Sequence, residues 1–161
     1  MTTSAIEPVK PNPPPWPRIS ASLFYDDAAA AIDWLCRAFG FTCRLRVEGD
    51  GGVIEHSELS YGDGVVMVAQ AGGREDRPGV PPGKSPRAVG GANTAALFMY
   101  VDDAQAHCAR ARAAGARISV EPKVSDYGDD YWSDLSYGAI DLEGHHWWFA
   151  ERLRDPVQRA G

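Results

Sequence analysis

The strongest constraint in this 161-residue chain is that it carries one structural plan twice. The first copy opens with an apolar run, Ile19 to Tyr25. It meets Asp26-Asp27 and continues into Ala28 to Phe39, where Ile32, Leu35, Cys36 and Phe39 recur at helical spacing. The paired aspartates stand where a helix is capped, and Gly40 where one is closed. Val53 to Tyr61, the turn Gly62-Asp63-Gly64 and Val65 to Gln70 follow as a hairpin. The second copy repeats that order. Thr94 to Val101 reads as a strand, Asp102-Asp103 as a cap, and Ala104 to Ala114 as a helix ending at Gly115. Ser136 to Asp141, the turn Leu142-Glu-Gly144 and His145 to Glu151 close it. Repetition in fixed order argues for a duplicated βαβββ unit more strongly than any single element does.

The plan divides the chain into five segments. Residues 1–18 form a proline-rich arm with six prolines before Arg18, residues 19–71 the first module, 94–151 the second, and 152–161 a tail. Prolines favour extended, unpaired backbone, so the arm is expected to be loosely draped, with an SH3-type ligand as the alternative. Residues 72–93, rich in Gly, Pro and Arg, have no apolar period; loops of this length either cover a site or act as slack tethers.

A net charge of −6 disfavours phosphate backbones and anionic membranes, so neither nucleic acid nor membrane is an expected partner. Arg110 and Arg112 lie two apart, on different faces of a solvated helix. No signal-like segment and no run of about 18 apolar residues is present, which reads as a soluble, cytoplasmic protein. Three cysteines, Cys36, Cys43 and Cys108, are an odd count without metal-ligand spacing and read as buried free thiols in a reducing compartment.

Two stretches make the plan specific: Tyr100-Val-Asp-Asp103 leading a helix that ends in Ala113-Ala-Gly-Ala-Arg117, and the closing Tyr137-Gly-Ala-Ile-Asp-Leu-Glu-Gly-His145. With their counterparts in the first half they resemble the vicinal oxygen chelate superfamily, which includes glyoxalase I, bleomycin-resistance proteins and extradiol dioxygenases. Ala29-Ala-Ala-Ile-Asp-Trp-Leu-Cys-Arg-Ala-Phe-Gly-Phe41 and His56-Ser-Glu-Leu-Ser-Tyr-Gly-Asp63 look most like its PhnB-like subgroup. The resemblance implies an α+β, glyoxalase-like fold in which two tandem βαβββ modules form a curved mixed sheet around a cavity, with helices outside. It also implies a homodimer.

Alternation along the strands then sends Leu23, Tyr25, Leu97, Met99 and Val101 toward the helices. Ser20, Ser22, Phe24, Ala96, Phe98 and Tyr100 are sent toward the cavity, where filled core is the plainer alternative. Metal-dependent relatives draw four ligands from the first and last strand of each module. Matched through the aspartate caps and the turn glycines Gly64 and Gly144, those positions here are Ser20, Val68, Ala96 and Trp148, which are no ligand set. No metal and no cofactor is therefore expected.

Adjacent His145 and His146 point to opposite sheet faces and cannot chelate one ion together. Asp141 and Gly144 read as turn residues, His145 as a solvent-side or turn-bonded residue, and His146 as a pocket neighbour of Trp148. His56 and Glu58 share a strand face and are the candidate catalytic pair. With His146 they make an alternative two-histidine, one-carboxylate metal site; an exposed sheet face or a polar ligand contact are the other readings. His107 reads as a packed helix residue. The acidic, aromatic stretch Asp126 to Asp134, with Tyr131 and Trp132, reads as a pocket rim favouring cationic or aromatic ligands.

The function expected is metal-independent binding of a small organic ligand in an aromatic-lined cavity. Its lining is Ser20, Ser22, Phe24, His56, Glu58, Phe98, Tyr100, Tyr131, Trp132, His146 and Trp148. The alternative is a lyase, isomerase or dioxygenase-type enzyme using His56 and Glu58, with or without a divalent metal.

Overall fold

The computed structural model describes residues 16–72 and 78–157. Most of the proline arm, including any SH3-type ligand within it, lies outside the described residues. Strand β1 (Ala21–Tyr25) leads into helix α1 (Ala28–Phe39), followed by β2 (Thr42–Glu48), β3 (Ile54–Tyr61) and β4 (Gly64–Gln70). The second module repeats this as β5 (Ala96–Tyr100), α2 (Ala104–Ala113), β6 (Arg117–Asp126), β7 (Ser133–Ile140) and β8 (His146–Arg154). Each module forms a four-stranded mixed sheet, in the orders β1-β4-β3-β2 and β5-β8-β7-β6.

The duplicated caps work alike. Asp27 Oδ1 accepts from Ala30 N at 3.0 Å, and Asp103 Oδ1 from Ala106 N at 2.8 Å, each satisfying an otherwise orphaned amide. Gly40 closes α1 at φ 79°, a left-handed conformation that favours glycine. The side chain leaving the parallel partner strand also serves each helix: Gln70 Oε1 accepts from Ala28 N, and Glu151 Oε2 from Ala104 N.

Strands β2 and β6 are the outer edges, and neither stands out as an apolar alternation in the sequence. β2 carries Arg44, Arg46 and Glu48, and most of it is exposed. β6 contains Pro122 inside a register shift between Val120 and Lys123, a residue that only an edge strand or a bulge tolerates. β8 runs on to Arg154, past Glu151.

Both helices and the helix-bearing faces of both sheets share one core. Phe39 sits at its centre, with ring centroids 5.0 Å from Trp34, 5.3 Å from Trp147 and 4.8 Å from Phe149. Burying each such ring is worth roughly 1.5–3 kcal/mol. Trp34 Nε1 donates to Ala114 O at 2.8 Å, and Arg110 donates to the α1 carbonyls of Arg37 and Cys36. Arg110 therefore docks the two helices together. Arg112 pairs with Glu121 at 2.6 Å on the surface.

His107 is buried and bonded at both nitrogens, to Tyr137 Oη at 2.5 Å and Phe39 O at 2.9 Å. Because a carbonyl only accepts, Nε2 carries the proton and Nδ1 accepts from the tyrosine. Burial pushes this imidazole's pKa below its ordinary value. Of the three thiols, Cys108 is buried and Cys36 half-buried, but Cys43 is exposed because it lies on edge strand β2.

The β7–β8 turn locks the modules to each other. Buried Asp141 accepts five hydrogen bonds: from the amides of Glu143, Gly144 and His145, from Tyr25 Oη at 2.6 Å and from Trp147 Nε1 at 3.0 Å. Glu143 accepts the amides of Asp26 and Asp27 at 2.6 and 2.9 Å, at the head of α1. His145 Nε2 donates to Phe24 O at 2.8 Å, and its ring packs on Tyr25. His145 is thus a turn residue bonded across the module boundary.

Candidate functional site

Alternation sorts the strands as their sequence implies. Leu23 and Tyr25 are buried beneath α1, and Val101 is buried with them in the shared core. Ser22 pairs with Met67, and Phe24 with Ala69, on the helix-free face of the first sheet. Register on β2 places His56 opposite Val47 and Glu58 opposite Leu45.

Over this face runs part of the linker. Gly72 N donates to Gly83 O at 2.8 Å, pinning one end, and Arg87 donates to Leu142 O at 2.6 Å, pinning the other. Beneath it lies a cleft of about 840 Å³ lined by Ser22, Phe24, His56 and Met67 below and Val80–Gly83 above. The segment that reads as structureless in sequence thus contains a bridge and a short 3-10 turn, Pro86–Val89.

His56 and Glu58 meet. His56 Nε2 lies 3.1 Å from Glu58 Oε1, and Arg44 Nε donates to Glu58 Oε2 at 2.7 Å. Burial alone would raise the Glu58 pKa, but hydrogen bonds from His56 and Arg44 outweigh it and hold the carboxyl below its ordinary range. An ionised Glu58 only accepts, so His56 presents Nε2–H to it. A carboxylate held this low is a weak general base. Arg44 in turn stacks on Trp16, 4.9 Å from the ring centroid. Glu58 stands behind His56 rather than in the cleft lining.

Ser57, which nothing in the sequence flags, inserts its hydroxyl into the ladder. It donates to Val68 O at 2.6 Å and accepts from Val68 N at 2.9 Å.

The remaining expected lining residues gather on the second sheet, away from this cleft. Phe98 and Trp148 are paired neighbours on the helix-free face, and Phe98 meets Tyr100 edge-on at 5.3 Å. All three are open to solvent: Phe98 is 56%, Tyr100 47% and Trp148 37% exposed. His146 pairs with Ala96 at the far end of this face. Arg152, two pleats beyond Trp148, donates to Asp134 Oδ1 at 2.6 Å and to Tyr100 Oη. Its guanidinium lies 4.8 Å from the Tyr100 centroid and 5.7 Å from that of Trp132. Tyr131 is exposed beside Trp132. Ser20 is half-buried just ahead of β1, its Oγ without a hydrogen-bond partner. Arg152 does not stand out in the sequence, where the apolar strand pattern reads only as far as Glu151, whereas β8 runs to Arg154. Alternation from Trp148 would have placed Arg152 on this face.

The metal question turns on register. Matching turn glycines sets Val68 against Trp148, but Val68 is fully buried on the helix side. The equivalent of the Phe98–Trp148 pair is Ser22–Met67, so Met67 takes the position. The offset arises because β3 and β4 join through a two-residue turn, Tyr61 facing Gly64, whereas Ile140 faces His146 across a five-residue one. Ser20, Met67, Ala96 and Trp148 then offer a hydroxyl, a thioether, a methyl and an indole, which do not fit a divalent cation that prefers imidazole and carboxylate. The His56, Glu58 and His146 constellation is not assembled either, since His146 lies on the other sheet. Among the described residues no three His, Cys, Asp or Glu side chains converge as a metal site, and no helix is long and apolar enough to cross a membrane.

Two tandem βαβββ modules sharing one core define a glyoxalase-like protein. The family model for the Glyoxalase/Bleomycin resistance protein/Dioxygenase superfamily matches residues 19–149, and the chain belongs to that family. An uncharacterized protein of Mycobacterium bovis is 34% identical over 151 residues, covering 89% of this chain and 91% of its own. Among solved structures, TioX from Micromonospora sp. ML1 has a TM-score of 0.65 at 31% identity, covering 84% of this chain and 98% of TioX. TnmS3, an antibiotic binding protein from Streptomyces sp. CB03234, has a TM-score of 0.55 at 18% identity, over 83% of this chain and 93% of its own.

Proposed function

We propose that this chain is a metal-independent binding protein for a small organic ligand, working in the cytoplasm as a homodimer of the PhnB-like branch of its superfamily. One observation carries the reading: the cleft of the first module, roofed by Val80–Gly83, stays partly open, while the second module leaves an aromatic face, Phe98, Tyr100 and Trp148, open to solvent. Apolar rings exposed together mark an interaction surface. A second copy that laid this face across the cleft of the first would enclose an aromatic-lined cavity and cover both. An antibiotic binding protein with the same fold, TnmS3, supports the ligand class. The donor set argues against a metal, and the depressed Glu58 argues against general-base catalysis.

The test is direct. Light scattering on the purified protein is expected to give twice the monomer mass. Tryptophan fluorescence is expected to respond saturably to at least one member of a broad metabolite and drug library. A monomer that answers to no compound refutes the reading, and a tightly held stoichiometric metal in untagged protein refutes its metal-free form.

A further inference from the structure

The cleft on the first module carries more detail than a generic apolar groove. Its roof is fixed, not slack: Gly83 is bridged to Gly72, buried Pro86 packs near Gly144, and Arg87 reaches the Leu142 carbonyl. Gly83 rests on the ring of Phe24 so closely that a Cβ there would fall 2.2–2.5 Å from three ring atoms. Glycine is needed at that point for close approach, and the Phe24–Gly83 contact sets how deep the cleft is.

At its polar wall, His56 gives Nε2–H to the Glu58 carboxylate, which leaves Nδ1 as an acceptor with no partner among the described residues. Glu55 in the lining adds negative charge and disfavours an anion, the charge of Glu58 behind His56 being offset by Arg44.

Resting on the binding function proposed above, the geometry points to a specific ligand chemistry. The cleft takes an uncharged, compact apolar ring compound that donates one N–H or O–H to His56 Nδ1, and the Val80–Gly83 strap against Phe24 determines the size admitted.

Calorimetry on the full chain tests this with indole, with 1-methylindole, which has the same rings without the donor, and with indole-2-carboxylate, an anion. Wild type is expected to bind indole roughly tenfold more tightly than either of the others, the scale of one net hydrogen bond. His56→Phe is expected to erase the preference for indole over 1-methylindole. Gly83→Val is expected to weaken both ring compounds by tenfold or more. Phe24→Ala, which opens space under the strap, is expected to restore binding when combined with Gly83→Val, so that a loss caused by misfolding is told apart. Wild type that binds none of the probes, a preference that survives His56→Phe, or affinity unchanged by Gly83→Val would each overturn the inference. A library ligand that binds with no sensitivity to these variants would overturn it while leaving the broader binding function standing.

Discussion

The two modules share a backbone plan and differ in the chemistry of one face. Ser22–Met67 in the first occupies the place of Phe98–Trp148 in the second, and Phe24 the place of Tyr100. The helix caps are interchangeable, whereas the open faces are not. One face has Ser22 and Met67 at its centre and is roofed by the linker, with His56 tied to Glu58. The other is aromatic, unroofed and braced by Arg152 between Tyr100 and Trp132. Duplication preserves what the core requires and leaves the opposite strand face free to diverge, since alternate residues on a strand answer to different neighbours.

The turns sharpen the contrast. Asp141 in the second module ties together its own turn, Tyr25 and Trp147. Asp63 in the equivalent turn of the first module is exposed. Asp141→Ala strands five donors, the buried Tyr25 Oη and Trp147 Nε1 among them, and is expected to cost about 3–5 kcal/mol in urea unfolding, while Asp63→Ala stays within about 0.5 kcal/mol. Comparable losses at the two sites would remove the asymmetry.

Next in size is the face itself. If the proposed dimer forms through this face, Phe98→Asp is expected to shift sedimentation toward monomer, raising its dissociation constant at least about tenfold, roughly 1.4 kcal/mol, with thermal stability of the monomer little changed. A dimer indifferent to Phe98→Asp would show that the aromatic face is not the contact.

The caps test the shared part of the plan. Asp27→Ala and Asp103→Ala are each expected to cost about 1 kcal/mol, and a clear inequality would mean that Glu143 at the head of α1 has taken over part of the first cap's work.

The smallest effect is a pH dependence. His107 is held neutral in the fold with its pKa lowered, so the unfolded chain takes up a proton first as acid is added. Its contribution is complete above about pH 6.5, the unfolded value, and is lost as pH falls below that toward the folded pKa. The melting temperature of wild type is expected to fall more between pH 7.5 and 5.5 than that of His107→Gln, and parallel curves would exclude this source.

Much of the fold is legible in the residues: the aspartate caps, the apolar stripe of α1, the alternation that buries Leu23 and Tyr25, and the turn role of Asp141. These signals are local, because a cap, a helix face and a strand face are each set by neighbours a few positions away. Strands β2 and β6 were obscured by charge and by Pro122, which edge positions permit. The candidate site was legible only in part. His56 and Glu58 share a face as their spacing implies, but Arg44, the Ser57 insertion and the Val80–Gly83 roof depend on contacts between distant segments.

By itself the sequence determined that two copies of one unit would form and which residues cap and fill them. Tertiary structure alone decided that the expected pocket residues fall on two separate faces, that Met67 rather than Val68 looks outward, and that a glycine of the linker lies against Phe24. The physical reason is that register and module docking are fixed by turn length and by side chains meeting across more than a hundred residues, as Tyr25 meets Asp141, and no periodicity records such a meeting.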